Sequence, residues 1–285
     1  HHNPPKGQIP KLNDFPDYAR DEWLVYLCDD DLLLPGYIAA VTKHILAHPD
    51  AALVRVRQRL IDIDGRELRL DAPSPIVSSP FLFMSHLFRA DHENFRINLT
   101  GVVFRSSLFK QVGRVKDVGR NWHIDRLAWA QMGALGEVIC DPEVLCELRM
   151  HGSSITSTID AEYDRAIGAS MVTKDYIDRI LADLDQRAST AEEKALVAKA
   201  REEFDVYTKR HLARAMDQGL LAIIDDPRKN VRAELRTVEE KMRKLDVPTF
   251  PSLHLYRIAA WLPRGLRSMA MTRLKQAKLA KRNTA

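Results

Sequence analysis

The apolar positions change their period midway along the chain. Residues 23–27, Trp-Leu-Val-Tyr-Leu, form a short continuous apolar run, the pattern of a strand covered on both faces in a parallel or mixed sheet. Polarity begins abruptly at Cys28-Asp29. Pro35 suits the first turn of a following helix, whose apolar stripe is Ile38, Val41, Ile45 and Leu46 and which stops before Pro49. The order is therefore strand, acidic loop, helix. A second apolar stretch covers residues 51–56, and the alternation around Ile61, Ile63, Leu68 and Leu70 is broken by Asp64-Gly65, a hairpin signal. Residues 71–80 are rich in Pro and Ser and read as a loop. Further on, 100–104 reads as a buried strand, 106–112 as a short helix, 124–132 as a longer helix and 140–148 as extended. Beyond residue 151 the spacing becomes helical: Val172, Tyr176, Ile180 and Leu184 recur every four residues, and Ala200, Phe204, Tyr207 and His211 continue the theme. The fold class is α/β followed by an α-helical C-terminal region. The expected division is 1–158, 159–245 and 246–285.

Composition changes this picture in two places. With 45% hydrophobic and 29% charged residues over 285 positions, the chain can bury one good core and a smaller second one. The net charge of +4 hides an uneven distribution, because no acid follows Asp246 while Arg257, Arg264, Arg267, Arg273, Lys275, Lys278, Lys281 and Arg282 do. Cys28, Cys140 and Cys146 make an odd set without CxxC spacing, which points away from a disulfide framework and from structural zinc, and toward a reducing cytoplasm. No apolar run approaches the roughly 20 residues that span a bilayer, and the start lacks the order of a signal peptide.

The candidate chemistry begins with Asp29, Asp30 and Asp31. Three adjacent carboxylates after a buried strand repel one another unless a cation or donors compensate, and ligands of open α/β sheets bind beyond the carboxyl ends of strands. From the residues alone, a Mg²⁺ or Mn²⁺ site holding a nucleotide and a solvated loop capping the next helix are equally good readings.

Resemblance separates them. The segment Trp23-Leu-Val-Tyr-Leu-Cys-Asp-Asp-Asp-Leu-Leu-Leu-Pro-Gly-Tyr-Ile38 resembles the DxD segment of family 2 glycosyltransferases with the GT-A fold, preceded by an Asn13 and Ala19 that match the family's Asn and Ala. Aligned on Leu32-Leu33-Leu34-Pro35, the family's last, metal-binding Asp falls on Asp30 and its first on Cys28, a departure that leaves Asp29 to take over. Asp29 and Asp31 are the further candidates around the diphosphate. Thr100-Gly-Val-Val-Phe-Arg-Ser-Ser-Leu-Phe-Lys-Gln-Val-Gly113 resembles the segment under the family's acceptor site. Within it Gly101 permits either close approach of a ligand or tight strand packing, and Arg105 either touches phosphate or flanks a helix. His123-Ile-Asp-Arg-Leu-Ala-Trp-Ala-Gln-Met-Gly-Ala-Leu-Gly136 resembles the family's Glu-Asp-x-x-Leu helix, with Ile124 replacing the Glu and Asp125 matching the catalytic base. Leu148-Arg-Met-His-Gly-Ser-Ser-Ile-Thr156 resembles the segment that closes the GT-A domain and brings a His back to the metal or diphosphate, here His151, with Arg149 and Ser153 as phosphate candidates.

These four blocks run in the family's order from residue 13 to residue 156. The resemblance implies a GT-A-like mixed sheet flanked by helices, a Mn²⁺ or Mg²⁺ cofactor, a nucleotide-diphosphate sugar donor and a glycan or lipid-linked acceptor. It implies an inverting transfer in which Asp125 deprotonates the acceptor. About one hundred residues of the family's nucleoside-binding βαβ unit have no counterpart before Asn13, so either they are missing from this chain or the base is bound in another way. A non-catalytic carbohydrate-binding or scaffolding relative is the rival reading; a nucleotidyltransferase or phosphohydrolase is a second, against which the Arg-x-His and Asp125 blocks argue. The basic tail mixes apolar and cationic residues as interfacial helices do, so it is read either as a membrane-surface contact at the inner face or as a helix packed on its own domain. Nucleic acid is excluded as a partner because no aromatic-rich basic motif accompanies the charge.

Overall fold

The computed structural model describes residues 8–89, 97–113, 115, 124–150, 163–225, 229–262, 266, 269–274 and 276. Contacts divide the chain into two compact units, His1–Gly152 with Met171–Asp205, and Ser153–Ser170 with Val206–Ala285.

The first unit is built on a seven-stranded mixed sheet, so the α/β expectation holds. Its strands are β1 (Trp23–Val25), β2 (Leu32–Leu33), β3 (Leu53–Ile61), β4 (Glu67–Leu70), β5 (Val77–Ser78), β6 (Val102–Arg105) and β7 (Val138–Arg149), in the spatial order β1-β6-β3-β7-β2, with β4 beside β3 and β5 beside β7. Only the β3–β7 pair is parallel. The hairpin expected at Asp64-Gly65 joins β3 to β4. Pro142 lies inside β7, an internal position where its missing N–H would break the ladder. The register accommodates it by jumping from Val56↔Asp141 to Arg57↔Val144, so that Pro142 and Glu143 bulge out. Arg57 then donates to the Pro142 carbonyl at 3.2 Å.

The run at 23–27 becomes an edge strand, not a strand covered on both faces: β1 pairs with β6 alone, and only Leu24 is fully buried. Leu27 lies beyond the end of β1 and is exposed.

Helix α1 (Gln8–Tyr18) precedes the sheet, and α2 (Tyr37–Ala47) packs on β3 and β7. The buried face of α2 differs from the stripe expected. Tyr37, Val41 and His44 are buried, whereas Ile38 and Leu46 are 66% and 77% exposed. Two amphipathic side chains take the inner positions because each has an apolar body. His44 also finds a buried partner across the interface in the Asp141 carboxylate, 2.8 Å away.

Helices α3 (Pro80–Leu87), α4 (Ser106–Val112) and α5 (Ile124–Gly133) complete this part of the unit. The stretch 71–80 is not wholly a loop, since it contains β5 and the start of α3. Ser79 caps α3 by accepting from the Leu82 amide, with Pro80 in the first turn. Helix α3 buries Phe81, Phe83, Met84 and Leu87 and crosses α5 very closely. A Cβ on Gly133 would lie 2.3 Å from the Phe83 ring, so the contact requires glycine. Trp129 of α5 is fully buried against Phe104 and donates its indole N–H to the Asn98 carbonyl at 3.0 Å.

Two long helices follow, α6 (Tyr163–Arg187) and α7 (Ala191–Asp225). Glu193 closes a capping box at the start of α7, accepting from the Ser189 and Thr190 amides while the Thr190 hydroxyl accepts from its own N–H. In α6 the buried line is Thr173, Ile177, Leu181 and Leu184, one position on from most of the expected stripe. Val172, Tyr176 and Ile180 flank it half-buried.

In the second unit, Leu212, Met216, Leu220 and Ile224 of α7 form a core with Val231, Leu235, Val238 and Met242 of α8 (Val231–Lys244) and Leu253, Tyr256 and Ala259 of α9 (Leu253–Ala259). The Asp217 carboxylate accepts from the Ser252 and Tyr256 hydroxyls, tying α7 to the start of α9. No described helix is long and apolar enough to cross a membrane.

Inside the sheet, Arg55 of β3 and Asp71 form an ion pair at 2.6 Å with both side chains 1% exposed. Breaking one side of such a pair strands a buried charge. Asp71→Ala is expected to lower the unfolding free energy by about 3–5 kcal/mol, measured by urea denaturation, and Arg55→Met combined with Asp71→Leu should recover most of the loss.

Candidate functional site

The acidic loop leaves the sheet where β1 ends, and Tyr26 makes an isolated parallel bridge to Thr100 just before it. The chain then turns through Asp29 and Asp30 and re-enters the sheet as β2, at the opposite edge from β1. To cross between those edges the loop must be held at intermediate points, and one carboxylate does this. Asp31 Oδ2 accepts from the Thr100 hydroxyl at 2.6 Å, and Oδ1 accepts from the Arg149 backbone N–H at 3.0 Å. Thr100 Oγ1 in turn accepts from the Cys28 N–H at 3.1 Å.

Arg149 binds the same loop with its side chain. Its Nε donates to the Asp30 carbonyl at 3.3 Å, while Nη1 donates to the Asp62 and Ile63 carbonyls at 3.1 and 3.0 Å. These bonds employ the guanidinium as a clamp between the acidic loop and the β3–β4 hairpin. The electrostatics follow the burial. Loss of water pushes the Asp31 carboxyl up, against the hydrogen bonds from Thr100 and Arg149 that favour its charged form, and Asp30 adds repulsion. Burial beside the three acids pushes the Cys28 thiol up to about 11, so at neutral pH it is protonated and brings no charge to the loop. Asp29 is exposed and Asp30 half-buried.

Four residues singled out from the sequence thus meet here or nearby: Asp29, Asp30, Asp31 and Arg149. Gly101 is one residue from the centre of this network, with φ +81. A Cβ there would lie 2.8 Å from Cys146 Sγ and 3.0 Å from its Cβ, so the close approach of the chain before β6 to the Cys146 side chain requires the glycine. Asp125 lies in the first turn of α5, where its Oδ1 accepts from the Arg126 N–H at 2.8 Å, and burial pushes its carboxyl up from the ordinary 3.8. Arg105 is turned to Glu22 and to the face of Trp23, as a helix-flanking surface residue. His151, His123 and Ser153 lie outside the described residues. Among the described residues, no three His, Cys, Asp or Glu side chains are grouped to hold a metal ion.

A polar chain under the loop escaped the sequence reading. Gln58, fully buried in β3, donates to the Thr100 carbonyl at 2.8 Å and accepts from Asn98 Nδ2 at 3.0 Å. The signal was present in Arg55-Val-Arg57-Gln-Arg59, where polar residues recur along a strand otherwise made of Val, Leu and Ile. Thr100 was visible only as the first residue of a block; its hydroxyl is the group on which Cys28 and Asp31 converge.

No protein-family model matches the sequence, and no curated protein matches it.

Thr100→Val removes the shared hydroxyl while keeping the side chain's shape. Stability should fall by about 1–3 kcal/mol, and hydrogen exchange should accelerate at the Cys28 and Arg149 amides. Gly101→Ala combines left-handed backbone with a steric overlap at Cys146, and a loss of about 2–4 kcal/mol is expected in thermal or denaturant unfolding.

Proposed function

We propose that this chain is a metal-dependent, inverting glycosyltransferase of the GT-A type that moves a sugar from a nucleotide-diphosphate donor to a glycan or lipid-linked acceptor. One observation carries the reading. Three sequence blocks far apart in the chain converge through the side chain of Asp31, which accepts from Thr100 of the second block and from Arg149 of the fourth. A solvated helix cap needs no such convergence, and the cap of α2, Gly36, comes with no side-chain capping hydrogen bond.

Asp31 is held inside the fold, and we assign Asp29, which is exposed, and Asp30, which is half-buried, to the ligand. Two carboxylates suit Mg²⁺ or Mn²⁺ whose remaining sites are filled by diphosphate oxygens and water, in preference to a cation caged wholly by protein. The cation would offset charge on the departing diphosphate. Asp125 supplies the base: its carboxylate takes the proton of the acceptor hydroxyl, whose oxygen bonds the anomeric carbon as the bond to the diphosphate breaks. The rise in its pKa makes it a stronger base than an exposed Asp. We place the reaction in the cytoplasm, where nucleotide sugars are available to a chain with three free thiols.

Cys28 favours a second reading, a carbohydrate-binding relative without catalysis. It stands where the family has its first Asp, and as a neutral thiol it leaves the loop one carboxylate short. Hydrolysis of nucleotide sugars with and without metal separates the two.

Mn²⁺ with a nucleoside diphosphate should raise the melting temperature of the wild type, and Asp30→Ala should lose most of that rise; an equal rise in both would remove Asp30 from the site. Asp125→Asn is expected to lower kcat by about 10²–10⁴-fold. A folded pKa above the unfolded one means the native state loses stability as pH climbs through the carboxyl's range, so the neutral amide should leave stability at pH 7 unchanged or higher. The acid limb of wild-type activity should accordingly lie above pH 3.8.

A further inference from the structure

Among its described residues, the second unit leaves no large apolar side chain exposed before residue 255. Helix α8 places Val231, Leu235, Val238 and Met242 in the core. Then the rule breaks. Among the described residues of this unit, the exposed large apolar side chains are Leu255, Ile258, Trp261, Leu266 and Met269, all within 15 positions.

Their arrangement is not that of a poorly packed helix end. Tyr256 and Ala259 anchor α9 in the core while Leu255 and Ile258, three residues apart, share an outer face and are 47% and 60% exposed. Residues 269–274 are helical and repeat the design, with Met271 2% exposed against the core and Met269 61% exposed. Between them, Trp261 is 72% exposed yet held in place, because the Arg232 guanidinium stacks 3.8 Å from its ring centre while Arg232 Nε donates to the Ala260 carbonyl. An immobilised, outward tryptophan beside a cation is the arrangement found at the headgroup level of membranes.

Charge selects among occupants. Arg257 is neutralised by Glu239 at 2.6 Å, but Arg264, Arg267, Arg273, Lys275, Lys278, Lys281 and Arg282 follow with no acidic residue among them. Exposed apolar side chains in a stretch of sequence that carries seven cations and no acid complement an anionic bilayer surface, where apolar groups enter the acyl boundary and cations meet lipid phosphates. A protein partner or a second copy of this chain, itself basic here, supplies no comparable reason for seven cations.

We propose that the outward apolar side chains Leu255, Ile258, Trp261, Leu266 and Met269, in a segment whose sequence is basic from Arg264 to Arg282, make a peripheral docking surface for anionic lipid membranes, a property independent of the transferase reading. The test uses the full chain, sedimented at low salt with phosphatidylcholine vesicles with or without phosphatidylglycerol. Binding is expected only with phosphatidylglycerol and should weaken as salt rises. Lys275→Glu and Lys278→Glu should each weaken it by roughly fivefold or more. Trp261→Ser with Met269→Ser should abolish it while circular dichroism stays unchanged. Brominated lipid should quench tryptophan fluorescence in the wild type and much less in Trp261→Phe. The proposal is overturned if the chain ignores phosphatidylglycerol vesicles. It is equally overturned if the apolar variant still binds, or if the same variants dissolve a dimer that itself has no vesicle affinity.

Discussion

The first unit depends on β3. This strand pairs in parallel with β7 and antiparallel with both β6 and β4, so most sheet hydrogen bonding passes through its nine residues. Such a strand must be apolar enough to be covered, yet it carries Arg55 and Gln58 at 1% and 0% exposure. Both are tolerated because the loop after β4 returns Asp71 beneath them, where its carboxylate meets Arg55 and the Gln58 N–H, and its carbonyl meets Arg57. The low dielectric that makes these groups costly when unpaired makes them specific when paired. They set where β4 ends.

The same strand sets the position of the candidate site. Gln58 holds the Thr100 carbonyl and the Thr100 hydroxyl holds Asp31, so the acidic loop is connected to the middle of the sheet by two hydrogen-bonded steps. Repulsion among three neighbouring carboxylates is partly relieved because one of them is used inward, with two donors favouring its charged form. The division of labour within the run is therefore physical: Asp31 orders the loop from inside, while Asp29 is exposed and Asp30 half-buried.

The two units handle apolar surface differently. In the sheet unit, exposed apolar residues such as Ile63, Leu68 and Leu70 sit on β4 and the turn before it, where most other positions are charged, a common way of blunting an edge. In the helical unit they are gathered into one basic segment whose opposite side is well buried. Scattered exposure needs no explanation, whereas concentrated exposure does.

Much of the architecture could be read before any coordinates. The order strand, acidic loop and helix, the Asp64-Gly65 hairpin, the helix at 106–112 and the apolar stretch at 51–56 that opens β3 all follow from local period and turn chemistry, which act over a few residues. So does the change to long helices after residue 151. What eluded that reading required knowledge of neighbours at a distance. Helix α3 hides behind a Pro and Ser stretch because its start is a capped proline, and it is held by contacts with α5. In α2, period alone allows either Ile38 or Tyr37 to face inward, and the choice was made by Asp141, 97 residues from His44. For the three aspartates, the sequence determined that charge had to be gathered after β1. Tertiary structure alone decided which of them turns inward, because the Thr100 hydroxyl and the Arg149 amide, 69 and 118 residues away, become neighbours only when the sheet closes.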